Sequence, residues 1–122
     1  MTFSLSQKSL DRMQGVDSRL VQVVKRAIEI TTVDFKVLEG VRTLERQKEL
    51  LKLKVTQTLK SKHLEGLAVD LGALHGPDVS WEKPLYFEIA KAMKQASKEL
   101  NIPIRWGGDF KSFFDGPHFE LV

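Results

Sequence analysis

"SKHLEGLAVDL", Ser61 to Leu71, is the stretch on which the reading of this chain turns. From Leu64 onward it is mostly apolar and belongs at a core. Yet it holds His63 and Asp70, with Gly66 between them. An ionised Asp70 buried alone between Val69 and Leu71 would be costly. Burial would also push its carboxyl pKa up unless a cation or hydrogen-bond donors held it. A metal ion resolves the conflict, and so does a place on the wet face of a half-exposed strand. Fully extended, the chain would hold the Cα atoms of His63 and Asp70 roughly 23 Å apart, at about 3.3 Å per residue. A shared ion therefore needs a bend, and Gly66 is the residue that permits one.

A second segment repeats the pattern. In "FFDGPHFELV" (Phe113 to Val122), a histidine and acids again sit among apolar residues. If His118 enters a strand, His118 and Glu120 point to one face, Phe119 and Leu121 to the other. Were this strand the neighbour of the one holding Asp70, then His63, Asp70 and His118 would converge. Two imidazoles and a carboxylate suit one zinc ion and leave its fourth position open, as catalytic rather than structural sites do. Asp115 would then stand beside that position. A carboxylate there can take a proton from water attacking a carbonyl and deliver it to a departing amine. The competing reading of Asp115 is a turn-forming residue before Gly116-Pro117.

The rest of the chain supplies the frame. Ser6 to Gln14 predicts a short helix ended by Gly15. Asp17 or Ser18 can cap the next, where Leu20, Val23, Val24, Ala27, Ile28 and Thr31 form one apolar stripe. "DFKVLEGVR" alternates as a strand, with Phe35, Val37 and Val41 on one face. A third helix starts at Thr43, and "GLAVDLGAL" follows as a buried strand. "HGPDVS" is turn chemistry. Ser80 precedes a long helix that tolerates Pro84 in its first turn, buries Leu85, Ile89, Ala92, Met93, Ala96 and Leu100, and is closed by Pro103. "IRW" and "HFELV" end the chain as two short strands. The expected fold is α+β: a small, largely antiparallel sheet packed with about four helices.

Composition narrows the function. The 122 residues are 42% hydrophobic and 29% charged, enough for one globular domain. Without cysteine, thiolate metal sites and disulfides are excluded. No apolar run approaches the roughly 18 residues of a membrane span, so no stable membrane insertion is expected, and the N-terminus lacks a signal-peptide layout. The formal charge of +3 favours an anionic partner or surface. The densest basic cluster, Lys52 to Lys62, has no interleaved aromatics, which argues against nucleic acid.

The ordered motifs resemble the LAS/M15 family of zinc peptidases. "SKHLEGLAVDL" matches the S-x-H-x-x-G-x-A-x-D signature, and "DGPHFEL" matches the downstream (D/E)-x-x-H element. "WGGDF" (Trp106 to Phe110) is similar to the segment that precedes that element, and "EGVRTLERQKEL" (Glu39 to Leu50) to one that bears a functional arginine. The D-x-x-H form and short chain are most similar to phage endolysins that act as L-alanyl-D-glutamate peptidases. The resemblance implies a hedgehog/D,D-peptidase-like fold with one Zn2+ at the sheet, held by His63, Asp70 and His118. It implies that Asp115 is the general base and that Arg42 stabilises the developing oxyanion or holds substrate. The competing reading of Arg42 is a surface salt-bridge partner for Glu39 or Glu45. Ser61 would contact substrate, or be a plain loop serine. Glu120 could orient a ligand or be a solvated edge carboxylate. His75, outside the motifs, is expected at the surface, and Trp81 and Trp106 in core or rim packing.

The expected whole is a single peptidase domain over 1–122, without a separate cell-wall-binding domain. It would be a monomeric endolysin that hydrolyses the L-Ala–D-Glu bond of the peptidoglycan stem for host-cell lysis. It would be made in the host cytoplasm and reach the wall after a holin-type partner permeabilises the membrane. The alternatives are a D-alanyl-D-alanine carboxypeptidase of the same family and a non-catalytic zinc-containing wall-binding module.

Overall fold

The computed structural model describes residues 2–41, 65–111 and 114–122. Its first two helices each begin on a side-chain cap. In α1 (Gln7–Arg12) the Ser6 hydroxyl accepts from the Ser9 N–H at 3.2 Å. In α2 (Ser18–Ile30) Asp17 accepts from the Arg19 N–H at 2.9 Å. Hydrogen bonds from Arg19 hold the Asp17 carboxyl below its ordinary pKa. The predicted stripe of α2 is buried from Leu20 to Ile28, and Thr31 caps its C-terminus.

Strand β1 (Phe35–Glu39) buries Phe35 and Val37. Val41, expected on the same face, is instead exposed. A register shift between Val37 and Glu39 breaks the alternation before Val41 is reached. The third helix expected from Thr43 lies outside the described residues. Strand β2 (Ala68–His75) follows, and Gly76, with φ +62°, turns the chain back. "HGPDVS" is thus only partly a turn: Asp78–Ser80 pairs with β2 as a short strand, β3.

The long helix α3 (Lys83–Leu100) carries Pro84 in its first turn. Tyr86, Ile89, Ala92, Met93 and Ala96 line its buried side, whereas Leu100 is exposed. Asn101 stops it in a left-handed conformation, φ 56°, so termination comes two residues before Pro103. Strand β4 (Ile104–Trp106), a 3-10 turn (Gly107–Asp109) and β5 (His118–Leu121) complete the described chain.

The strand order is β1-β2-β5-β4, with β3 paired to β2, and these pairings are antiparallel. One face of this sheet presents Val69, Leu71, Ala73, Trp106, Phe119 and Leu121 to a core shared with α2 and α3. Tyr86 ties α3 to the β2–β3 hairpin. Its hydroxyl donates to the Ser80 carbonyl at 2.7 Å and accepts from the Ala73 N–H at 3.2 Å. The α+β architecture is the expected one, with three α-helices among the described residues.

Candidate active site on the outer face of the sheet

Pairing of β2 with β5 places Asp70 opposite His118. Residues paired in this way share a face of the ladder, so the apolar alternation that buries Val69 and Phe119 turns Asp70 and His118 the other way. Asp70 is half-buried and His118 nearly fully buried. The His118 Nδ1 lies 3.4 Å from the Asp70 Oδ1. On its other side, the His118 Nε2 meets the Glu120 Oε1 at 2.7 Å. Glu120 is therefore no solvated edge carboxylate. It is buried and leaves Nδ1 as the nitrogen that faces Asp70.

Burial pushes the His118 pKa down. Hydrogen bonds with Asp70 and Glu120, then the charges of Asp70 and Asp115, outweigh it, and the pKa stands above the ordinary histidine value.

Asp115 is held by its backbone. Its N–H donates to the Gly107 carbonyl at 3.0 Å, and its own carbonyl accepts from the His118 N–H at 3.2 Å. The turn that follows is clamped from both sides. The Leu71 N–H donates to the Pro117 carbonyl at 2.8 Å, and the Trp106 indole N–H to the Gly116 carbonyl at 2.7 Å. The turn and site readings of Asp115 are thus compatible: the turn is what brings its charge to His118.

Gly66 has φ +73°, the left-handed conformation that a bend before β2 requires. His63, Arg42 and Ser61 lie outside the described residues. His75 is exposed at the end of β2. Trp106 is in the core, and Trp81 is exposed while stacked on Tyr86 at 6.0 Å between ring centroids.

The sequence reading missed the role of Gly107. A Cβ there would overlap the Asp115 carbonyl oxygen and come within 3.0 Å of the His118 Cβ. The Gly-Gly pair in "WGGDF" was its visible trace. It also missed Phe110, whose ring centroid lies 5.6 Å from that of His118.

Among the described residues, no group of three or more His, Asp or Glu side chains is placed to hold an ion. Two donors are nonetheless well set. Ligands about 2.0–2.2 Å from a tetrahedral zinc are separated by about 3.3–3.6 Å, and the Nδ1 to Oδ1 separation is 3.4 Å. A hydrogen-bonded second nitrogen, as Glu120 provides, is the usual support of an imidazole ligand. The pair fits such an ion, with a third donor still required.

A family model described as phage L-alanyl-D-glutamate peptidase matches residues 1–122. The chain is 28% identical to the L-alanyl-D-glutamate peptidase of Escherichia phage T5, over the full length of both. It is 30% identical to the L-alanyl-D-glutamate peptidase of Listeria phage A118 over 76% of this chain and 32% of that protein. The crystal structure of Serratia marcescens L-Ala D-Glu endopeptidase ChiX superposes with a TM-score of 0.91 at 41% identity, covering 95% of this chain and 87% of that one.

Proposed function

Because the chain belongs to the phage L-alanyl-D-glutamate peptidase family, we propose that it is a zinc-dependent endopeptidase that hydrolyses the L-Ala–D-Glu bond of the peptidoglycan stem. The observation that carries this reading is the ladder pairing of Asp70 with His118, with the Asp115 turn clamped beside them. Asp70 and His118 would hold the zinc together with His63, the donor that the family resemblance supplies. When bound, the ion supplies an electrophile and lowers the pKa of water at its open position. Glu120 fixes the His118 ring so that Nδ1 stays turned to the site. Asp115 accepts the proton of the attacking water on its carboxylate and returns it to the leaving D-Glu nitrogen. Arg42 stabilises negative charge on the carbonyl oxygen, and Ser61 contacts substrate, as the same resemblance implies.

The protein would act as a monomer on the cell wall, reached after a holin-type partner opens the membrane. Among the described residues no helix is long and apolar enough to cross a membrane.

The test pairs mass spectrometry of digested walls with one variant. Wild type should release fragments cut between L-Ala and D-Glu. Free D-Ala with intact L-Ala–D-Glu linkages would instead identify a D,D-carboxypeptidase, and bound metal without turnover a binding module. Asp115→Asn should retain zinc and lose about 100-fold or more in rate. Full activity of that variant would remove Asp115 as the base.

A further inference from the structure

Arg105 stands on the same side of the sheet as Asp70, His118 and Glu120. Its position in β4 pairs with Glu120 in β5, and paired residues share a face. It is exposed. Its guanidinium carbon lies 4.7 Å from the centroid of the Phe110 ring, and that ring in turn meets His118. Phe110 therefore sets a permanent positive charge one aromatic ring away from the imidazole. A guanidinium held over a ring keeps N–H groups for a planar carboxylate, which it can bind with two parallel hydrogen bonds.

The surroundings make such a charge useful. Asp70, Asp115 and Glu120 give this face three carboxylates. An anionic substrate approaching them meets like charge, and a nearby cation is needed to offset it. The proposed substrate is anionic next to the bond that is cut. D-Glu has two carboxyl groups; when its amine is acylated by L-Ala, one carboxyl carries the remainder of the stem and the other stays free.

We propose that Arg105 is a specificity residue that binds this unlinked D-Glu carboxylate, with Phe110 as the platform that holds its guanidinium. The proposal rests on the endopeptidase reading and deepens it.

Two synthetic stem peptides test it, identical except that the unlinked D-Glu carboxyl is a free acid in one and a carboxamide in the other. The zinc-loaded full chain should cleave the acid peptide with the higher kcat/KM. Arg105→Gln should lose about 10-fold or more on the acid peptide, as for a charge-assisted bond removed, while staying within about twofold on the carboxamide. Arg105→Lys should recover part of the preference, because the charge returns without the planar fork. An equal loss on both peptides, or an unchanged acid-to-amide ratio, would overturn the assignment. Wild-type cleavage at this bond is read separately: if wild type cuts neither peptide, the endopeptidase reading fails. Cleavage with an unaltered ratio strikes Arg105 alone.

Discussion

Gly107 shows how a residue without a side chain can fix the placement of its neighbours. Its carbonyl accepts from the Asp115 N–H, and the space where a side chain would begin is filled by the Asp115 backbone and the His118 Cβ. Backbone atoms cannot swing aside as a flexible side chain can. Gly107→Ala should therefore push Asp115 and His118 apart. The expected result is a folded protein by circular dichroism, about 1–3 kcal/mol less stable. Its kcat should fall by about 10-fold or more, since small misplacements of reacting groups are expensive. Steady-state kinetics on a stem peptide, beside a denaturant melt, measures both. Glu120 teaches the converse lesson. In sequence it was as readily a solvated edge carboxylate as a partner of His118, and only its burial and its 2.7 Å contact with His118 exclude the first.

At the scale of elements, the antiparallel ladder does the assembling. Each strand carries an apolar and a polar face, and pairing β2 with β5 aligns the polar ones. The hairpin that extends β2 depends on a side chain from a helix. Tyr86 satisfies both the Ala73 N–H and the Ser80 carbonyl, and burial raises its phenol pKa despite the bond from Ala73. Tyr86→Phe keeps the ring packing but removes both hydrogen bonds. It should cost about 1–3 kcal/mol, seen as a lower urea midpoint. The slope of the transition should stay unchanged, since the same surface is exposed on unfolding. The HGPDVS segment illustrates what local chemistry leaves out. Its Gly and Pro mark a turn correctly, but Asp78–Ser80 becomes a strand because β2 offers it partners.

For the molecule as a whole, the site is a joint between segments, so metal and fold should be coupled. If zinc binds only the native chain, adding it after chelation should raise the melting temperature. The gain would be about 2.7 kcal/mol at a hundredfold excess over the dissociation constant. Asp70→Asn should abolish most of that increase, and a full increase in the variant would remove Asp70 from the ligand set. The positive net charge acts on the same scale, as a salt-screened attraction to anionic surfaces rather than as part of the site.

By itself, the sequence determined the α+β class, the apolar stripe of α2, and the opposite facing of His118 and Phe119. These depend on periods of 3.6 and 2 and on side-chain chemistry, which are local properties. The tertiary structure alone decided that β5 lies beside β2, that Glu120 is buried against His118, and that Gly107 must lack a side chain. It also decided that Arg105 shares the sheet face of Asp70 and His118. Each of those depends on which strand supplies the hydrogen-bonding partner, and a ladder between segments far apart in the chain leaves no periodic mark in either one.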